Sequence, residues 1–377
     1  MSKYFYLANI CINKEDIKER DPIFSDAGKD RALYIAKSVG KKIEIISFGW
    51  PRNKGYFKIS KKEISDKISI VYLNSLNFYF LKYPFSILAL FFYLFSRIEY
   101  NDKVIVYNCD FKKIISIILV RAIKNFDIIL DIEELYWTKS RILKKIYNFF
   151  EKLAINISDY FIICNRDILN CIKSINKTKT KIKYIINFGY SDNKILKIFP
   201  KENADRFFIL YSGGIDYCRG FDILLESIKY IDTKLTLVVT GRDFEGMNFE
   251  KYKTNFVNIE NKGFLKKKDY EILLYKANLC INPLRSKCDF ARFSFPSKII
   301  QYLSYGNIVI SSEIKSINQL GILQKYIITY PKDDPIFLSR IIKKNYKTKV
   351  LRSRIINDFN RFFDNKTKEL KNFFDEI

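Results

Sequence analysis

The chain has 377 residues, 48% of them apolar, enough for two or three folded domains of roughly 150 residues each and too apolar for a disordered chain. Lys and Arg number 66 against 41 Asp and Glu, a formal charge of +25, which fits an anionic partner or a coding bias toward Lys, Ile and Asn. There is no histidine, which excludes a Ser-His-Asp triad, a Cys-His dyad and His-ligated metals.

In chain order, MSKYFYLANICINKED turns charged too early for a secretory signal. KKIEIISFG (41–49), ISIVYL (68–73), DKVIVYNC (102–109), FDIILDIE (126–133), SDYFIICN (158–165) and IKYIINFG (182–189) read as strands. Helical spacing lies between them; over 141–157, Ile142, Ile146, Phe149, Leu153 and Ile157 share a face. The longest apolar stretch, FSILALFFYLF (85–95), is short of the ~20 residues that span a bilayer. Lys82 is the only charge from Ile68 to Ser96. That fits a buried strand followed by a buried helix, or a segment dipping into a membrane surface. The polar segment 190–206 contains a proline and reads as a linker.

The alternation then restarts with FFILYS, LTLVVTG (235–241), FVNIENKG (256–263), ANLCINPL (277–284) and NIVISS (307–312), with helices at 269–276 and 296–305. From about Phe337 the chain is helical and charged. Strands alternating with helices predict an α/β chain of two doubly wound parallel sheets, whose ligands bind at the carboxyl ends of the strands in the cleft where the domains face. The seven cysteines are odd in number and lack a C-x-x-C pair, so reduced, mostly buried thiols are expected.

YSGGIDYCRGFDILLESI (211–228) joins a strand to a helix starting near Phe221. Gly213 and Gly214 let backbone amides approach a ligand, the helix N-terminus suits a phosphate, and Arg219 adds a fork of donors. The spacing matches neither Walker A nor G-x-G-x-x-G, and a tight turn with a surface arginine fits equally well. In SFPSKIIQYLSYGNIVISS (294–312), Pro296 suits the first helical position and Gly306 the residue past the end. Ser297 and Lys298 fall in the first turn, where a lysine opposes the helix dipole unless an anion is bound. Arg285, Lys287 and Arg292 precede that helix. Together they suggest a cationic pocket for a diphosphate.

These stretches, with VVTGRD and NKGFLKKKDYEILLYKANLCINPL, resemble the C-terminal half of family 4 glycosyltransferases from about Phe207 to Ser312. The N-terminal half is similar only in strand order and in patches such as SDAGKDRALYIAKSVGKKIEIISFG. The resemblance implies a GT-B fold of two Rossmann-like domains. They would be an acceptor-side domain over 1–195 and a nucleotide-sugar domain over 205–340, with helices over 341–377 packing back on the first. It implies a retaining enzyme without a bound metal or cofactor, using a nucleotide-sugar donor, with a UDP-sugar expected. Gly213, Gly214 and Arg219 would line the diphosphate with Ser297 and Lys298. Gly263 and Phe264 would lie near the base, and Arg242 would reach the nucleotide. The family's Glu-x7-Glu pair falls on Phe293 and Gln301, so both glutamates are missing; Gln301 can still bond ribose hydroxyls. Gly214 stands where the family usually has an arginine. The FPSK pattern is similar to a subgroup found among bacterial surface-polysaccharide enzymes.

On the acceptor side, Asp131, Glu133 and Glu134 end a strand and could orient an acceptor hydroxyl or act as base; a helix start rich in acids explains them as well. Gly28 stands near the start of the first long helix, as a plain helix entry or a close approach to donor. Lys139, Arg141, Lys144, Lys145 and Lys152 lie beside an apolar face, as a solvated helix or one resting on anionic lipid. The expected partners are a nucleotide-sugar donor, a glycan or lipid-linked acceptor and an anionic membrane surface, with no specific nucleic acid. The expected location is cytoplasmic, at the inner face of the membrane. The alternatives are a degenerate GT-B binding protein or a basic nucleic-acid-binding protein.

Overall fold

The computed structural model describes residues 2–12, 26–49, 54–78, 80–135, 141–176, 182–189, 208–331, 333–348 and 351–377. The linker read at 190–206 and Lys139 lie outside them, and the side chain of Arg141 is likewise outside the description. The chain divides into two units, Met1–Tyr190 with Lys366–Ile377, and Ser191–Asn365.

The first unit runs β1 (Tyr4–Leu7), α1 (Asp26–Val39), β2 (Ile43–Phe48), β3 (Tyr56–Phe57), β4 (Ser60–Ser65), β5 (Ile68–Leu73), β6 (Ser75–Leu76), α2 (Lys82–Arg97), β7 (Lys103–Tyr107), α3 (Phe111–Arg121), β8 (Asp127–Ile132), α4 (Arg141–Ile157), β9 (Tyr160–Ile163), α5 (Arg166–Ile175) and β10 (Lys183–Ile186). Its sheet has the order β10-β9-β8-β7-β1-β2-β5-β4, parallel except where β4 runs against β5; β3 and β6 form a separate antiparallel pair. β4 has no apolar signal because SKKEIS lies on the sheet edge, where charge blocks further pairing. Tyr4, Tyr6, Ile45 and Ile70 pack with Ile35 and Ala36 of α1 and with Leu370, Phe373 and Phe374 near the chain end. Right-handed crossovers put α3 and α4 on the opposite face.

The helix expected to be buried over 85–95 is buried on one side only. Ser86, Leu90 and Leu94 of α2 face inward, while Leu88, Phe92 and Phe95 are exposed. The same correction applies to α4. Glu151, Ala154 and Ile155 point into the unit, and Ile146 and Phe149 of the shared apolar face point out.

The second unit runs β11 (Phe208–Ser212), α6 (Phe221–Ile228), β12 (Leu235–Thr240), β13 (Val257–Asn261), α7 (Lys267–Lys276), β14 (Leu279–Asn282), α8 (Asp289–Phe293), α9 (Ser297–Ser304), β15 (Ile308–Ser312), β16 (Ile327–Tyr330), α10 (Pro335–Asn345) and α11 (Arg352–Glu376), the last of these ending in the first unit. The sheet order is β13-β12-β11-β14-β15-β16, parallel throughout. The chain moves outward from β11 toward β13, then restarts at β14 and moves the other way. The strand order therefore reverses between β11 and β14, and ligands of such sheets bind beyond the strand ends at that reversal. Both sheets are doubly wound, as the alternation of strands and helices predicts.

Candidate functional site

The loops that follow β11 and β14 meet at this reversal. Gly220, at φ +66°, caps α6 so closely against Pro283 O that a Cβ there would overlap the carbonyl. Arg285 N donates to Cys218 O at 3.1 Å and Arg285 Nε to Tyr217 O at 3.0 Å, while its guanidinium pairs with Asp222 in the first turn of α6. The Cys218 and Cys288 sulfurs lie 2.8 Å apart across the same contact. At the neighbouring strand end, Gly213 N donates to Thr240 O at 3.0 Å and Gly241 has no room for a Cβ beside the Gly213 carbonyl. The glycines of 211–228 thus allow neighbouring loops to close on one another.

Asp110, Asn165 and Asp334 cap α3, α5 and α10 with their side chains. No side chain caps α2, α6, α7, α8 or α9, and of these α6 follows β11, while α8 and then α9 follow β14, the two strands that flank the reversal. An N-terminus without such a cap presents amide donors and partial positive charge to an anion. α9 starts at Ser297, so Pro296 is the residue before the helix rather than its first.

A hydroxyl network joins the two junctions. Ser212 Oγ, at the end of β11, lies 2.7 Å from Tyr270 Oη and 2.9 Å from Tyr302 Oη. Tyr270 donates to Gln301 Oε1 at 2.9 Å, and Lys298 Nζ donates to Tyr270 Oη at 3.3 Å and to Gln301 Oε1 at 3.2 Å. Ser297, Lys298 and Gln301 are each half-buried. Burial pushes the Tyr270 and Tyr302 phenols well up, so both are neutral donors at ordinary pH. The sequence reading missed Ser212, Tyr270 and Tyr302.

Arg219 pairs with Asp216 of its own turn and keeps 39% of its side chain exposed. A Cβ on Gly214 would come within 3.1 Å of Arg219 Nη1 and 2.9 Å of Phe244, so the glycine makes room for both. Arg242 is exposed, with its guanidinium 5.0 Å from the centroid of the exposed Phe264 ring. Gly263, at φ +59°, accepts from Gly241 N at 2.9 Å and Thr240 Oγ1 at 2.7 Å, holding that loop beside the end of β12. Lys287 and Arg292 are exposed, and Phe293 is half-buried.

In the first unit the three candidate carboxylates separate. Asp131 is fully buried, paired with Arg31 at 2.5 Å and accepting from Tyr6 at 2.6 Å. It is a structural charge rather than an acceptor-side group. Glu133, half-buried, accepts from Tyr107, and its amide donates to Asn108 Oδ1 at 2.9 Å. Glu134 is exposed. Gly28 is buried inside the first turn of α1.

Residues 206–344 match the family model described as Glycosyl transferases group 1. No curated protein matches the chain in sequence. Among solved structures, sucrose-phosphate synthase from Thermosynechococcus elongatus is similar at TM-score 0.72 and 12% identity, covering 100% of this chain and 99% of its own. Anabaena HepE in complex with UDP-glucose is similar at TM-score 0.64 and 13% identity, covering 100% and 99%. The α,α-trehalose 6-phosphate synthase of Burkholderia multivorans is similar at TM-score 0.66 and 8% identity, covering 99% and 95%. These likenesses carry the fold, and the family match is confined to the second unit. The chain has the GT-B fold of these structures, and its second unit contains a stretch, residues 206–344, that matches a glycosyl transferases group 1 domain.

Proposed function

We propose that the enzyme transfers a sugar from a UDP-sugar to a glycan or lipid-linked acceptor, with retention and without a metal, in bacterial surface-polysaccharide synthesis at the cytoplasmic face of the membrane. One observation carries the reading. Two helix N-termini without side-chain caps, α6 and α9, start around the reversal of the second sheet, and Tyr270 ties Ser212, at the end of the strand that leads to α6, to Lys298 in the first turn of α9. The likeness to HepE in complex with UDP-glucose supports a uridine donor.

In this reading Arg219, Ser297, Lys298 and the amides near Gly213 and Gly214 meet the diphosphate. Gln301 meets the ribose, and Arg242, Gly263 and Phe264 flank the base. Glu133 and Glu134 are the acceptor-side candidates of the first unit. With no histidine in the chain, the acceptor proton passes to the leaving phosphate. The anomeric C–O bond to the diphosphate breaks, the acceptor oxygen bonds the same face, and its proton moves to the departing phosphate oxygen. Cations and helix N-termini offset the charge that develops there.

Thermal-shift titration with UDP-, GDP-, dTDP- and ADP-sugars tests the donor. A rise in Tm confined to the uridine compounds supports the reading, and no rise with any of them contradicts it. A second reading is favoured by Phe293 and Gln301 standing where the family's glutamates would be: a GT-B protein that binds donor without turning it over. Donor binding with neither transfer nor hydrolysis would favour that reading.

A further inference from the structure

α2, α3 and α4 lie side by side on one face of the first sheet. Ser116 Oγ of α3 donates to Ile87 O of α2 at 3.0 Å. The Tyr83 and Phe111 rings are 5.6 Å apart, and Phe111 and Phe150 are 5.8 Å apart. The outward side of α2 is apolar, and α4 sets two exposed apolar residues among its lysines. On α2, Leu88, Phe92 and Phe95 are 51%, 62% and 38% exposed, and on α4, Ile146 and Phe149 are 45% and 61% exposed. Their spacing places each set on a single helix face. Solvated surface helices carry charge on that side instead, and an exposed apolar patch of this extent marks a docking surface.

The charge around the patch indicates what docks there. Lys82 and Arg97 stand at the two ends of α2, and Lys144, Lys145 and Lys152 are on α4. Lys124 lies with its Nζ 4.9 Å from the Phe95 ring, donating to Ile98 O at 2.7 Å. The three helices contain one carboxylate, Glu151, and it is buried. A second copy of the chain would bring like charges together in a two-fold contact. An anionic bilayer complements both the apolar residues and their basic surroundings. α2 has 16 residues, short of the ~20 that cross a bilayer, and among the described residues no helix is long and apolar enough to do so.

We infer that this α2–α4 face docks the enzyme on an anionic lipid surface, with Leu88, Phe92, Phe95, Ile146 and Phe149 entering the headgroup boundary and the lysines meeting lipid phosphates. This deepens the lipid-side reading above and rests on it only for its biological sense, since vesicle binding is measured without donor or acceptor and fails or succeeds apart from the sugar chemistry.

The test is co-sedimentation of the full chain with phosphatidylcholine vesicles, with and without about 30 mol% phosphatidylglycerol. The expected result is binding to the anionic vesicles and little to the neutral ones. Leu88→Asp with Phe92→Asp should weaken that binding about tenfold or more, and Lys144→Glu with Lys145→Glu should do the same. Both pairs are exposed, so their Tm should stay near that of the parent; if the aspartates unfold the chain, Phe92→Gln serves instead. Absence of binding to the anionic vesicles overturns the inference. So does binding that survives both charge reversal and the α2 substitutions. A dimer dispersed by those substitutions, without vesicle binding by the parent chain, assigns the face to a second copy and also overturns it.

Discussion

The Tyr270 hydroxyl lies 2.7 Å from Ser212 Oγ and receives a hydrogen bond from Lys298 Nζ at 3.3 Å. One phenol thereby fixes the end of β11 relative to the first turn of α9. Tyr270→Phe keeps the ring and removes the link. It should lower stability by about 1–2 kcal/mol, the cost of leaving buried partners unpaired, and weaken UDP-sugar binding through a less constrained Lys298. Calorimetric unfolding and donor titration on the same variant check the two effects.

Asp131 and Arg31 are 0% and 2% exposed in their side chains. Asp131→Asn removes one member of a buried pair and leaves a guanidinium in the core, so it should destabilise the first unit by about 3–5 kcal/mol. Glu134→Gln, on an exposed side chain, should change stability by less than about 0.5 kcal/mol. Denaturant titration separates them, and equal losses would contradict the structural role given to Asp131.

Gly220 adopts φ +66° against Pro283 O. Gly220→Ala should cost at least the ~1–2 kcal/mol of a left-handed non-glycine residue, with more from the overlap. Gly246, also left-handed at φ +65° but with nothing near its Cβ position, should cost only the conformational part when changed to Ala. The difference in Tm between the variants measures the close approach of the two loops.

Lys113 is buried, with its Nζ donating to Tyr107 O at 2.9 Å, and burial lowers its pKa from 10.5 to about 8. Its ammonium is disfavoured in the folded state, so the cost is complete below about pH 8. Between about pH 8 and 10.5 the unfolded chain binds the extra proton, and this group's contribution to stability rises with pH. Lys113→Met should remove that rise. Urea unfolding at pH 7, 8, 9 and 10 on both proteins isolates the group, and parallel pH curves would contradict the assignment.

The alternation of apolar runs such as ISIVYL and LTLVVTG revealed both parallel sheets, since strands buried on two faces read as unbroken hydrophobic stretches. The helix start at Phe221 was readable after Gly220, and the one read at Pro296 lies one residue later, at Ser297. β4 was not, because its Lys and Glu side chains follow an edge strand's needs. Tyr270 was not, because 58 residues separate it from Ser212 and only the sheet order brings them together. The outward face of α2 could not be told from an inward one by composition, as an apolar stripe has the same period on either side. Asp131 looked like its neighbours Glu133 and Glu134 until Arg31, 100 residues earlier, was seen to claim it.

The central claim is that α6 and α9 jointly hold the donor's diphosphate. Calorimetric titration of UDP into the parent chain, Arg219→Ala and Lys298→Ala tests it most directly. The account predicts a loss of about 1.5–3 kcal/mol for each charged contact removed, roughly 10- to 150-fold in Kd, with folding intact. Unchanged UDP affinity in both variants would contradict it.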